Sequence, residues 1–194
     1  LGANGADWVQ TPHLDRIARE GILFENCFTN CPVCAPARIG LASGLQPVRL
    51  GALDNHSFLP ASTRTYYQRL RDYDYRVGCS GKLDLAKPDN WNSDGARPCT
   101  FSFGFTHPIE IEGKMHSGNN PQPHGPYGFW LQERGLYERY HADYRRRAAN
   151  GWIKDASHDS VLPADAFQDT YIGQRAVEWL RRIPEDYPWH LFVS

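Results

Sequence analysis

The sequence predicts an α/β fold, a parallel sheet flanked by helices, on three observations. Tyr66, Leu70 and Tyr73 share one side of a helical stretch over residues 59–73, and an apolar, β-prone run follows at 75–80. The order repeats near the end of the chain. There Tyr171, Ala176, Val177, Trp179 and Leu180 supply one side of a helix over 163–183, ahead of a strand at 190–193. Helix handing directly to strand, twice, is the pattern of a parallel sheet with crossover helices. Size is the third observation: 194 residues, 41% of them hydrophobic, can bury one substantial core.

Taken in order, residues 11–21 read as a helix. Thr11 suits the N-cap, Pro12 the first turn and Gly21 the position after the end. Leu14, Ile17 and Ala18 give it an apolar face, and His13 lies on its surface. Residues 22–28 form a short extended run. Residues 45–58, rich in turn formers, read as a loop with His56 at the surface. The helix over 59–73 takes Ser62 as its cap and breaks at Asp74. Gly81-Lys82 closes the strand over 75–80. Residues 86–128 are rich in Pro, Gly and Asn and read as irregular, with a short strand at 109–111. Lys114, His116 and His124 are candidates for the rim of a site, with ordinary surface placement as the default. Residues 131–150 form a charged helical region interrupted near Gly135, in which Arg145, Arg146 and Arg147 make a solvated face. Residues 152–162 are a linker, and Pro184 stops the last helix.

A net charge of −1 gives no field for nucleic acid or for an anionic membrane, so any anion site must be built from local residues. No apolar run approaches the length of a membrane span. Five cysteines, an odd count, give no complete disulfide framework. A reducing, cytoplasmic compartment fits that count, with a periplasmic or secreted location left open. The chain opens on Leu1, contains one methionine and ends on an apolar run. The expectation is an internal piece of a longer protein, in which a signal peptide cannot be judged.

The most informative stretch is Cys34-Ala35-Pro36-Ala37-Arg38, followed by Ile39-Gly40-Leu41-Ala42-Ser43-Gly44. Pro36 suits the first turn of a helix, and Gly44 suits its stop. Cys34 then sits just before that helix, where free N–H groups favour an anionic group. Arg38, four residues on, shares its face. A nucleophile and a guanidinium in one electropositive pocket suit a tetrahedral oxyanion. Other readings of the cysteines stay open. Cys27-x3-Cys31-x2-Cys34 has the spacing of an iron–sulfur site, and Cys31-x2-Cys34 is half of a zinc knuckle. Small buried thiols would suit Cys27, Cys79 and Cys99.

This stretch, with its lead-in from Phe24, resembles the sulfatase signature Cys/Ser-x-Pro-Ser/Ala-Arg. Ala42 stands where a larger apolar residue is usual. Tyr75-Arg76-Val77-Gly78-Cys79-Ser80-Gly81-Lys82-Leu83-Asp84 resembles the second signature of that family, with Asp84 in place of the usual histidine. The resemblance spans most of residues 1–85 and 160–194. It implies the alkaline-phosphatase-like α/β fold, a mixed, mainly parallel sheet, of which residues 1–194 would be part of the catalytic domain, lacking its first strand and C-terminal part.

For function, the resemblance implies hydrolysis of sulfate esters, a sulfuric ester hydrolase whose nucleophile is a formylglycine made from Cys34 by a sulfatase-maturating enzyme. Arg38 and Lys82 would be catalytic, and Lys82 and Asp84 would bind substrate, with orientation of Lys82 the other role open to Asp84. One divalent cation, Ca²⁺ first, with Mg²⁺ or Mn²⁺ as alternatives, would be held by residue 34 as formylglycine. Its other ligands would lie beyond both ends of this chain, which alone would be inactive. The departure at Asp84 keeps two alternatives in view: a phosphonate monoester or phosphodiester hydrolase of the same superfamily, or a non-catalytic module retaining the fold.

Overall fold

A computed structural model describes residues 1–86, 98–151 and 158–194. Three parallel strands form the sheet: β1 (Arg76–Gly81) in the middle, β2 (His107–Glu110) on one side and β3 (Trp189–Val193) on the other. The strand expected at 109–111 is thus β2, beginning two residues earlier. Seven α-helices lie among the described residues: α1 (Pro12–Glu20), α2 (Cys34–Ser43), α3 (Tyr66–Asp72), α4 (Lys114–Asn119), α5 (Pro126–Glu133), α6 (Tyr137–Ala149) and α7 (Gln168–Arg182).

Alternation along β1 sets the layers. Val77 and Cys79 point to one face, into a core with Ile39 of α2 and Tyr67 of α3. Each such large apolar side chain contributes about 1.5–3 kcal/mol on burial. Gly78 and Ser80 point to the other face, against α7. Trp179 fills the space over Gly78, where an added Cβ would sit 2.4 Å from the indole. The Ser80 hydroxyl donates to the Ile172 carbonyl at 2.8 Å. The sheet is therefore sandwiched between α2 and α3 on one side and α7 on the other. A second core, built on Ile111, Tyr127, Leu131, Tyr137 and Tyr171, ties α5, α6 and α7 together.

Several expectations need correction. The helix expected from residue 59 starts at Tyr66, because the cap is Thr65 rather than Ser62. The Thr65 side chain accepts from the Gln68 N–H, and the Gln68 side chain accepts from the Thr65 N–H, a reciprocal capping box. Asp74 breaks the helix in left-handed backbone, φ 63°. Residues 22–28 join no strand. The stretch read as irregular contains α4 and the start of α5; α5 begins at Pro126, a residue pre-set for a first turn. The helix expected over 163–183 is a 3₁₀ turn at Ala164–Ala166 followed by α7. Val177 and Leu180 are exposed, and Ile172 takes a place among the buried residues of that helix. Arg147 is not simply solvated: it donates to Asp143 at 2.8 Å and to the carbonyls of His158 and Asp159. Six residues of the expected linker, 152–157, lie outside the described residues.

Candidate active site

The carboxyl ends of β1 and β3 open onto a cavity of about 790 Å³ whose lining includes Cys34, Arg38, Lys82 and Asp84. All four residues singled out from the sequence thus meet in one place. The position is the one that open α/β sheets use for ligands, just beyond the strand ends.

Cys34 occupies the first turn of α2 itself, one position further in than expected, with extended Val33 as N-cap. Its Sγ donates to Asn55 Oδ1 at 2.9 Å, and the same oxygen accepts from the Ala35 N–H at 3.1 Å. One side chain from a distant loop therefore satisfies a free N–H of the helix and orients the thiol. Ile39 and Ala42, on the far side of α2, are buried in the core and fix which face of the helix meets the cavity.

Arg38 Nη1 donates to the Lys82 carbonyl at 2.6 Å and to Ser194 Oγ at 2.8 Å. The guanidinium is pinned to the ends of two neighbouring strands. Gly81 makes that junction possible. The Ser194 carbonyl would lie only 1.7 Å from a Cβ at this position, and φ is 117°, a conformation natural only to glycine.

Lys82 Nζ lies 3.0 Å from Asp84 Oδ2, and Asp84 is almost wholly buried. Left-handed backbone at Asp84, φ 54°, brings its carboxylate back onto the residue two before it. Aspartate tolerates that region better than most residues. The carboxylate thus holds the lysine ammonium and offsets part of its charge.

The sequence reading passed over Asn55, Ser194 and Gln168, which also line the cavity, and left His56 and Lys114 at the surface by default. Lys114, His116 and His56 all reach the lining; His124 does not, and its ring instead lies 6.4 Å from that of His116. Ser194 follows a predicted strand, so the rule that singled out Lys82 would have found it too. Asn55 carries no local signal: it sits in a loop 21 residues from its partner.

Of the cysteines, Cys79 is buried and Cys99 partly so, but Cys27 is exposed, contrary to expectation. Among the described residues no three His, Cys, Asp or Glu side chains come together to hold a metal. The iron–sulfur and zinc readings therefore find no support in the geometry. The divalent cation implied by the resemblance likewise has no ligand cage among the described residues. No described helix is long and apolar enough to cross a membrane.

Comparison with known proteins gives a consistent result. The sequence profile of the family described as Sulfatase matches residues 1–193. An ulvan-active sulfatase of Formosa agariphila is 35% identical over 89 residues, 46% of this chain and 18% of that protein. The choline-sulfatase of Rhizobium meliloti is 36% identical over 105 residues, 52% of this chain and 20% of its own. The phosphonate monoester hydrolase of Agrobacterium radiobacter superposes on the whole chain with a TM-score of 0.64 at 21% identity, over 38% of its own length. A structure in complex with D-glucosamine-2-N,6-O-disulfate matches equally well, TM-score 0.64 at 20% identity, over 30% of its length. The matched stretches thus span about a fifth of the curated relatives. The fold is the alkaline-phosphatase-like α/β fold, and its three described strands are all parallel.

Proposed function

The chain belongs to the sulfatase family, and on that premise we propose that it forms the catalytic core of an enzyme hydrolysing sulfate esters through a formylglycine derived from Cys34. The observation that carries this reading is the convergence of Cys34, Arg38 and Lys82 on one cavity at the strand ends.

In the proposed reaction, residue 34 is an aldehyde hydrate. One of its hydroxyl oxygens attacks the sulfur as the S–O bond to the alcohol breaks. The alcohol oxygen leaves with the bonding pair and takes a proton, and the sulfuryl group is now bonded to residue 34. The second hydroxyl then gives up its proton and closes to the aldehyde. The C–O bond to the sulfate breaks with its pair, inorganic sulfate departs, and water restores the hydrate. A thiol has no second hydroxyl and cannot complete this last step.

Arg38 and Lys82 stabilise the sulfuryl oxygens, whose charge rises during transfer. Asn55, now at the thiol, would accept from one hydroxyl of the hydrate and leave the other free to attack. A maturation enzyme that converts Cys34 is the implied partner, and a divalent cation with ligands from elsewhere in the protein is the implied cofactor.

The test is expression of the complete reading frame with a sulfatase-maturating enzyme. The expected result is a mass loss matching thiol-to-aldehyde conversion, mapped to residue 34, together with turnover of an aryl sulfate. Turnover by protein whose Cys34 remains an unmodified thiol overturns the mechanism.

The carboxylate of Asp84 favours a second reading, a phosphonate monoester or phosphodiester hydrolase, because it replaces the histidine expected beside Lys82 and weakens that cation. Comparing aryl sulfate with aryl phosphonate under the same conditions separates the two. Turnover of neither by fully modified protein would leave the non-catalytic module.

A further inference from the structure

The cavity extends past the cluster at Cys34 to a second wall made by Lys114, His116 and Asn119 of α4 and by Gln168 and Asp169 of α7. Lys114 distinguishes this wall. Its ammonium lies 5.6 Å above the Phe167 ring, which holds it by a cation–π contact, and among the described residues no carboxylate lies within ion-pair distance of it. The other two lining cations are engaged: Arg38 by a carbonyl and a hydroxyl, Lys82 by Asp84. Asp169, the remaining carboxylate of the lining, is exposed and forms no ion pair among the described residues.

The two lysines stand close along one rim. A Cβ placed on Gly113 would sit 3.5 Å from Lys82 Cε and 3.7 Å from its Nζ, so the residue just before Lys114 rests on the end of Lys82. A substrate whose reacting sulfate engages Arg38 and Lys82 therefore presents its alcohol portion to Lys114. The lining includes the apolar side chains Ile111 and Ile172 and the imidazoles of His56 and His116, with no Phe, Tyr or Trp among its described residues.

We propose that Lys114 is a specificity-determining residue, and that the alcohol portion of the substrate carries a second anionic group, a carboxylate or another sulfate, which this ammonium binds. The proposal rests on the reading of the cavity as a sulfate-ester site and deepens it. Lys114 is exposed, so solvent screens it and a charge-assisted hydrogen bond there is worth a preference of about threefold to tenfold.

The experiment uses the full-length, matured protein and three sulfate esters of one sugar ring: one otherwise uncharged, one with a carboxylate, one with a second sulfate. The native enzyme is expected to prefer at least one charged ester by about threefold or more in kcat/KM, and the two charged arms tell carboxylate from sulfate. Lys114→Ala should abolish that preference, mainly by raising KM, with little change on the uncharged ester; Lys114→Arg should restore most of it. A loss shared by all three esters, or a native enzyme indifferent to the second charge, overturns the proposal. Binding of the three desulfated alcohols to a Cys34→Ala protein is measured in parallel. If no ester is hydrolysed at all, the sulfatase reading fails, while a Lys114-dependent preference among the bound alcohols still decides the role of this lysine.

Discussion

Arg38 reaches the cavity already oriented, because its Nη1 is bonded to the Lys82 carbonyl and to Ser194 Oγ while the rest of the guanidinium remains for an anion. In the proposed reaction its contribution would be electrostatic and geometric together. Arg38→Ala in the matured enzyme should therefore lower kcat by about 10²–10³, the cost of removing one preorganised donor. Arg38→Lys should recover little, since an ammonium cannot bond two strand ends and an anion in one plane. Steady-state kinetics on an aryl sulfate decides this, and full activity in Arg38→Lys would show that charge alone matters.

At the scale of elements, α3 depends on Thr65. Its hydroxyl accepts from the Gln68 N–H and donates to the buried Phe103 carbonyl at 2.6 Å. Thr65→Ala removes a cap and leaves a buried carbonyl unsatisfied, so a loss of about 2–3 kcal/mol is expected in denaturant unfolding. Thr65→Ser, which keeps both bonds, should lose far less.

Helix α6 offers a test in pH. Burial raises the Asp143 carboxyl, but hydrogen bonds from Arg146 and Arg147 outweigh it and hold the group below its ordinary range. A depressed carboxylate stabilises the fold above its unfolded value, about 3.9. That stability is lost as the pH falls through the lower folded value. Asp143→Asn should lower the melting temperature at pH 6 and flatten its fall as the pH drops below about 4. Parallel melting curves for the two proteins would expose the idea as wrong.

The whole molecule is unevenly covered. Around the sheet the side chains are packed, whereas Trp8 is 85% exposed, Phe28 87%, and Ile17, Ile22 and Phe24 are exposed as well. The apolar face read from the sequence of α1 is real in its spacing, yet no described residue of that helix is buried. Large apolar side chains exposed in this number bind hydrophobic dyes and promote association. The 194-residue chain is expected to bind such a dye in its folded state and to self-associate as concentration rises in light scattering. Phe24→Ser with Phe28→Ser should reduce both while leaving the melting transition nearly unchanged, since neither ring is packed.

What the sequence determined by itself was local: the helix that starts at the Cys34 motif and stops at Gly44, the strand leading to Lys82, the helix–strand order of a parallel sheet, and the placing of the Cys34 side chain one turn from Arg38. These follow from backbone preferences and side-chain spacing, which act over a few residues. Tertiary structure alone decided which distant groups meet. Asn55 reaches Cys34 across 21 residues and Ser194 reaches Arg38 across 156, while Lys114 arrives at the rim by way of a turn resting on Lys82. It also placed Asp84, expected either to orient Lys82 or to bind substrate, against Lys82 in the lining of the cavity. Such contacts depend on how elements pack around the sheet, and no periodicity in the chain encodes that.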